Sequence, residues 1–143
     1  MASDLVYDAV RGHLLENWVE TPLVFDNEDA APDGVRPQDG QAPWVQVEMT
    51  GDLYDQESLG SGSPATDLWR ERGLIFMTVM VRSGTGSRLA RRYAKQLCDL
   101  FKGADLAGGT LQFVEASIGL GEKTTPDGNW FGLPAEVAYQ ADT

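Results

Sequence analysis

The sequence predicts an α+β fold: a mostly antiparallel sheet with two main helices packed on one face, formed as a single domain over residues 1–143. Three observations point that way. Residues 4–19 and 87–102 repeat apolar side chains at helical spacing. Residues 44–49, 74–81, 111–118 and 130–139 alternate, or run apolar, over strand-like lengths. The resulting order is helix, two strands, long loop, strand, helix, two strands. Helices this few, not alternating regularly with strands, argue against a doubly wound sheet.

The first helix can be capped by Ser3 or Asp4. Val6, Ala9, Val10, Leu14 and Trp18 share one face of it, with Asp4, Asp8, Arg11 and Glu16 opposite, and Pro22 closes the segment. Leu23-Val24-Phe25 is a short strand. Residues 26–43 hold two Asp-Gly pairs and prolines at 32, 37 and 43, so they read as a surface loop. From Trp44 to Met49, Val45, Val47 and Met49 point one way and Trp44, Gln46 and Glu48 the other. Residues 51–69 are polar, with Gly60-Ser61-Gly62-Ser63-Pro64 at their centre, and read as a second long loop.

Leu74–Val81 is apolar on both faces, the pattern of a central strand covered on two sides. A Gly84-Thr85-Gly86 turn then leads into a helix that Ser87 can cap. Leu89, Ala90, Tyr93, Ala94, Leu97, Leu100 and Phe101 project to one side of this helix. Arg88, Arg91, Arg92, Lys95, Asp99 and Lys102 project to the other. Gly103 is placed to stop it. In the next strand, Leu111, Phe113 and Glu115 oppose Gln112, Val114, Ala116 and Ile118. The last strand aligns Phe131, Leu133, Ala135, Val137 and Tyr139. Pro134 within it predicts an edge strand or a bulge.

Composition narrows the function classes. A single cysteine permits no internal disulfide, which excludes a disulfide-stapled module and fits a reducing compartment. Met1-Ala2-Ser3-Asp4 lacks a basic, then apolar leader, so no secretory signal is expected. The longest apolar stretch is far shorter than the roughly 20 residues of a membrane span. The net charge of −11 is uneven: residues 1–67 hold 14 acids and two bases, and residues 68–143 hold 8 acids and 9 bases. The acidic half disfavours broad DNA binding, which needs clustered cations. A charge-asymmetric subunit whose basic side meets an acidic neighbour is the sharper reading, and solubility is the plainer one.

No catalytic or metal constellation stands out. His13, the sole histidine, projects onto the apolar face of the first helix and reads as a hydrogen-bonded core or margin side chain. Cys98 lies at the edge of the apolar arc of the second helix. Nearby cations could activate a thiol there, but with no suitably placed base it reads as a packed small side chain. Gly84-Thr85-Gly86-Ser87 lacks the lysine of a phosphate loop and the full dinucleotide fingerprint. Asp26, Glu28, Asp29 and Asp33 lack calcium-loop spacing. No cofactor is expected. The basic helix face is the feature left over, with no interleaved aromatics for nucleic-acid stacking. Arg88, Arg91, Arg92 and Lys95 are candidate interaction residues. Leu53, Tyr54, Leu59, Leu68 and Trp69 join them, as apolar side chains around the glycine-serine stretch that need some partner.

Several pieces together resemble the small tail-terminator and tail-component proteins of long-tailed phages, prophages and gene transfer agents. They are the helix Asp4–Val19, Pro43-Trp44-Val45-Gln46-Val47, and Leu68-Trp69-Arg70-Glu71-Arg72-Gly73 leading into the central strand. They continue with Gly84-Thr85-Gly86 opening the helix that ends at Leu100-Phe101, Gly108-Gly109 before Leu111–Ile118, and Asp127-Gly128-Asn129-Trp130-Phe131. The resemblance covers nearly the whole chain. It implies an α+β subunit of a homohexameric ring on top of the tail tube, in the virion after assembly in the host cytoplasm. The implied partners are further copies of the chain, the major tail tube protein and the head–tail connector. It implies no enzyme activity, no membrane and no sequence-specific nucleic acid, although DNA would pass through the ring lumen. Head-completion and minor tail proteins share this size and character, and a small enzyme or ligand-binding domain is the alternative from another class.

Overall fold

The computed structural model describes residues 3–56, 69–106, 109–123 and 128–142, with 52–56, 122 and 123 described by their backbone alone. The first helical repeat folds as α1, Asp4–Asn17, and buries Val6, Val10 and Leu14. Ser3 caps it: its Oγ accepts from Val6 N at 3.4 Å. The helix ends at Asn17, and Trp18 stays in the core as the residue that closes it. The second repeat folds as α2, Arg88–Phe101, burying Ala90, Ala94, Leu97, Cys98 and Phe101. Leu89, expected on the buried side, is 42% exposed. Ser87 occupies the N-cap position but makes no capping bond. Its Oγ accepts instead from Arg91 Nε at 3.1 Å. In the turn before it Gly84 and Gly86 hold φ of +86° and +85°, a region that side-chain-bearing residues avoid. The two helices run antiparallel, His13 meeting Leu100 and Phe101 while Trp18 packs edge-to-face on Tyr93 at 5.8 Å.

The strands are β1 Leu23–Phe25, β2 Trp44–Gln56, β3 Trp69–Arg82, β4 Asp105–Leu106, β5 Leu111–Ile118, β6 Glu122–Lys123 and β7 Trp130–Asp142. Among the described residues they form one sheet in the order β1-β2-β3-β7-β5-β4, with β6 pairing only β7. Every pairing is antiparallel except β1 with β2. The chain is thus an α+β fold of the predicted kind. Between β1 and β2 the only regular element is a short 3-10 turn, Pro37–Asp39, as the loop reading of 26–43 requires.

Three expectations need correction. The loop expectation for 51–69 fails at both ends, because β2 runs on to Gln56 and β3 begins at Trp69, paired Gln56 to Trp69, and its middle, 57–68, lies outside the described residues. The polar composition of these ends hid a ladder that backbone hydrogen bonds sustain. Pro134 lies in β7, which is a central strand. Its carbonyl accepts from Gly119 N at 2.9 Å. The N and O of one strand residue point to the same side, so its missing N–H falls where β5 has ended and the β3 ladder loses nothing. In β5 the register slips between Phe113 and Glu115, so Val114 is an extra residue. Beyond it the faces exchange: Ala116 and Ile118, paired with buried Val137 and Ala135, join Leu111 and Phe113 on the core side, and Glu115 turns away.

Both helices cover the same face of the sheet. The core there unites Val45, Val47, Ile75, Met77, Val79, Leu133, Val137 and Tyr139 with the buried stripes of α1 and α2. Among the described residues no second layer covers the other face of β3, so cover on two sides is not met there. On the helix-free face Leu74 and Phe76 are half-buried by neighbouring strands, not by a second layer.

Candidate assembly surfaces

The outer face of α2 is positively charged because its inner face is fixed by the core. Arg88, Arg91, Arg92 and Lys95 are all exposed. Lys95 Nζ pairs with Asp99 at 2.7 Å, an i,i+4 contact on an exposed face that contributes little to stability. Arg88 and Arg92 pair with no carboxylate among the described residues. They are available to a partner.

The acidic half is arranged in the opposite sense. Its two bases are both used internally: Arg11 reaches Glu28 at 2.8 Å and lies over the Phe25 ring, and Arg36 reaches Asp39 at 3.0 Å. Asp4, Asp8 and Glu16 on α1, with Asp29 and Asp33 on the following loop, remain exposed. Exposed charge is thus acidic on α1 and the loop after it and basic on the outer face of α2.

A groove of about 480 Å³ separates the C-terminal half of α2 from β5. Phe101, Phe113, Ala116 and Val137 line its apolar part, and Lys95, Lys102 and Asp99 its rim. Cys98 also lines it, but burial pushes its thiol pKa up, with Asp99 adding to the effect. That is the reverse of an activated nucleophile. Val114, 59% exposed, stands at the bulge beside the groove, and Leu120, 94% exposed, follows β5.

On the helix-free face Val24, Trp44, Met80 and Trp130 form a second apolar cluster. Trp44 and Trp130 meet edge-to-face at 5.9 Å, and the Arg82 guanidinium lies 5.0 Å from the Trp130 ring centre. Trp44 Nε1 is buried with no hydrogen-bond acceptor among the described residues, an uncommon state for an indole N–H.

Glu71 is the single buried charged residue among the described ones, 2% exposed. Its Oε1 accepts from Ser3 N at 3.0 Å and Ser3 Oγ at 3.1 Å. It therefore ties the start of α1 to β3, with negative charge at a helix N-terminus where the backbone dipole favours it. Nearby, burial and the charge of Glu71 push the Tyr139 phenol up to about 12.

His13 has the structural role expected of it. A carbonyl can only accept, so Nε2 donates to Leu100 O at 2.7 Å, and Nδ1 accepts from Asn17 Nδ2 at 3.2 Å. Among the described residues no cluster of three or more His, Cys, Asp or Glu is placed to hold a metal ion, and no helix is long and apolar enough to cross a membrane.

Of the residues singled out by the sequence, the four cations sit together on α2. Leu53 and Tyr54 lie in β2, opposite Arg72 and Glu71, and Trp69 opens β3 half-buried. Leu59 and Leu68 lie outside the described residues. Glu71, the Trp44–Trp130 cluster and the α2–β5 groove escaped sequence reasoning. Glu71 lies between Arg70 and Arg72, ahead of the apolar run, and nothing local marked it as buried; the groove had no signal either.

No family model and no curated protein matches this sequence. A solved structure whose name carries no functional information aligns with 99% of this chain over 96% of its own, at a TM-score of 0.64 and 20% identity. The likeness extends over nearly the whole of both chains. At that identity the likeness speaks for the fold alone.

Proposed function

We propose that this chain is a structural virion protein, the terminator of a long phage-type tail, whether of a phage, a prophage or a gene transfer agent. In this reading six copies close a ring on the tail tube, stop its growth and offer a new surface to the head connector. The supporting observation is the whole-chain sequence resemblance, from the first helix through Pro43–Val47 and Leu68–Gly73 to Asp127–Phe131.

Physical features suit the role. A ring subunit needs two different, complementary patches, because the contact between neighbours is heterologous. Exposed acids on α1 and its following loop, and exposed bases on α2, supply such a pair. The groove holds a thiol that burial disfavours as a nucleophile and a lysine already paired, which gives little to an enzyme reading. Arg88, Arg91, Arg92 and Lys95 would contact a neighbouring subunit, the tube or the connector. Leu53, Tyr54, Leu59, Leu68 and Trp69 are proposed to do the same.

Deleting the gene tests the reading by electron microscopy of the resulting particles. The expected outcome is intact heads beside unattached tails, many of irregular or excessive length. Tails of normal length joined to heads would refute it. Normal tails with heads that leak DNA would point to a head-completion protein.

A further inference from the structure

The two helices differ in what they show to solvent. α2 sorts its residues cleanly, apolar inward and charged outward. α1 is apolar on both faces. Val6, Val10 and Leu14 enter the core, yet Leu5 and Leu15 on the outward face are 60% and 44% exposed. Positions 5, 8, 12 and 15 are three or four residues apart, so Leu5, Asp8, Gly12 and Leu15 form one stripe. Val19, 84% exposed, continues it just past the helix end. Exposed apolar residues gathered in a stripe, and not scattered singly, mark a contact surface.

Gly12 lies in the middle of that stripe. A Cβ there would meet nothing within 4 Å, so no neighbour inside the subunit requires glycine. Glycine in a helix interior lowers stability relative to alanine, and its use is to let another surface approach the backbone closely.

Charge selects the occupant. Asp4, Asp8 and Glu16 are exposed along the outward face of α1, and the one base of this helix, Arg11, is turned aside to Glu28. Two such faces would repel each other. Among the described residues the exposed bases are Arg36, held by Asp39, and five on α2: Arg88, Arg91, Arg92, Lys95 and Lys102. Asp99, the one acid of α2, is matched by Lys95, and Arg88 and Arg92 have no carboxylate. No ion pair joins α1 to α2 within the subunit. Arginine stems also cover apolar surface while their guanidinium groups meet carboxylates, which suits a stripe of leucines bordered by acids.

We infer that the outward face of α1 docks on the outward face of α2 of a second copy of this chain. Leu5, Gly12 and Leu15 take the arginine stems, and Asp8 and Glu16 meet the guanidinium groups of Arg88 and Arg92. This rests on the assembly reading for its partner and gives each charged face its counterpart. It needs no tail and can hold where the terminator assignment fails.

Two charge-reversed full-length variants and their mixture test it. Asp8→Lys with Glu16→Lys makes both helices basic outward; Arg88→Glu with Arg92→Glu makes both acidic. All four residues are exposed and none is held in an ion pair among the described residues, so circular dichroism should be unchanged. In analytical ultracentrifugation at low salt the wild type should associate. Each variant alone should associate at least about tenfold more weakly, and a 1:1 mixture should recover wild-type association. Gly12→Gln, a better helix former, should raise Tm yet weaken association, and it decides the matter if a charge variant misfolds. A wild type monomeric at every concentration, a folded charge variant or Gly12→Gln that associates like wild type, or a mixture no stronger than its parts would overturn the inference. Recovery in the mixture together with normal, head-joined tails in the gene deletion would leave the helix pairing standing and remove the terminator reading.

Discussion

Gly73→Ala should destabilise the fold through a contact with backbone, which cannot give way as a side chain can. Gly73 pairs with Gly51 on β2 and Tyr139 on β7. A Cβ there would stand 2.1 Å from Thr50 O, 2.6 Å from the Tyr139 hydroxyl and 2.8 Å from its ring. Normal contact distance would require β2 to retreat by roughly 1 Å, in a well-packed layer that resists overpacking. Tyr139 is 1% exposed and cannot swing into solvent without opening the core. Overpacking of this kind costs about 1–3 kcal/mol. The backbone obstacle argues for the upper part of that range, partly offset by the loss of glycine's freedom in the unfolded chain. For 143 residues that corresponds to a fall in Tm of roughly 4–12 °C. Thermal unfolding followed by circular dichroism measures it. Adding Tyr139→Phe should recover little, because Thr50 O remains in place. Gly12→Ala supplies a control of opposite sign. Gly12 lies in α1 with nothing within 4 Å of its added Cβ, and the change should stabilise by about 0.5–1 kcal/mol. If Gly73→Ala is within about 0.5 kcal/mol of wild type, or if Tyr139→Phe restores it fully, the backbone argument is wrong.

Ser3→Ala removes the α1 cap and the Ser3 Oγ hydrogen bond to Glu71, while the backbone N–H of residue 3 still donates to that carboxylate; urea titration should show a loss of about 1–3 kcal/mol. Glu71→Gln should cost less, because an amide oxygen still accepts from Ser3 and only the charge at the helix start is lost. Arg70 holds the Asp142 carboxyl below its ordinary range through a hydrogen bond of 2.5 Å. A depressed folded pKa stabilises above the unfolded value, near 4, and the gain fades as pH falls through the folded one. Asp142→Asn should therefore lower Tm at pH 7, and the gap to wild type should close toward pH 3; a gap independent of pH would show that the charge is not its source. Arg92→Glu reverses an exposed cation, so Tm should shift by no more than about 0.5 kcal/mol equivalent while association, followed by light scattering, weakens. Undiminished association would move the interface off α2.

Periodicity made much of the fold legible. Leu97 and Phe101, set against Arg88, Arg92 and Lys95, define α2 without reference to any other segment, because a 3.6-residue repeat is a local property. The basic face was legible for the same reason: it is what remains when the apolar stripe is buried. Strand ends were not. Residues 51–56 and 69–73 look like loop by composition, yet they pair with each other, since a ladder is held by backbone groups that every residue possesses. The apolar even positions of β3 suggested a second covering layer, but Trp44, Trp130 and Pro134 on adjoining strands share that burial.

By itself, then, the sequence determined the two helices and the centres of the main strands, which helix face is charged, and that no internal disulfide can form. Tertiary structure decided the strand order, the flip of β5 at Val114 and the burial of Glu71 against Ser3. Each of these depends on a partner distant along the chain. A bulge exists only relative to the strand opposite, and a buried carboxylate is acceptable only where donors meet it.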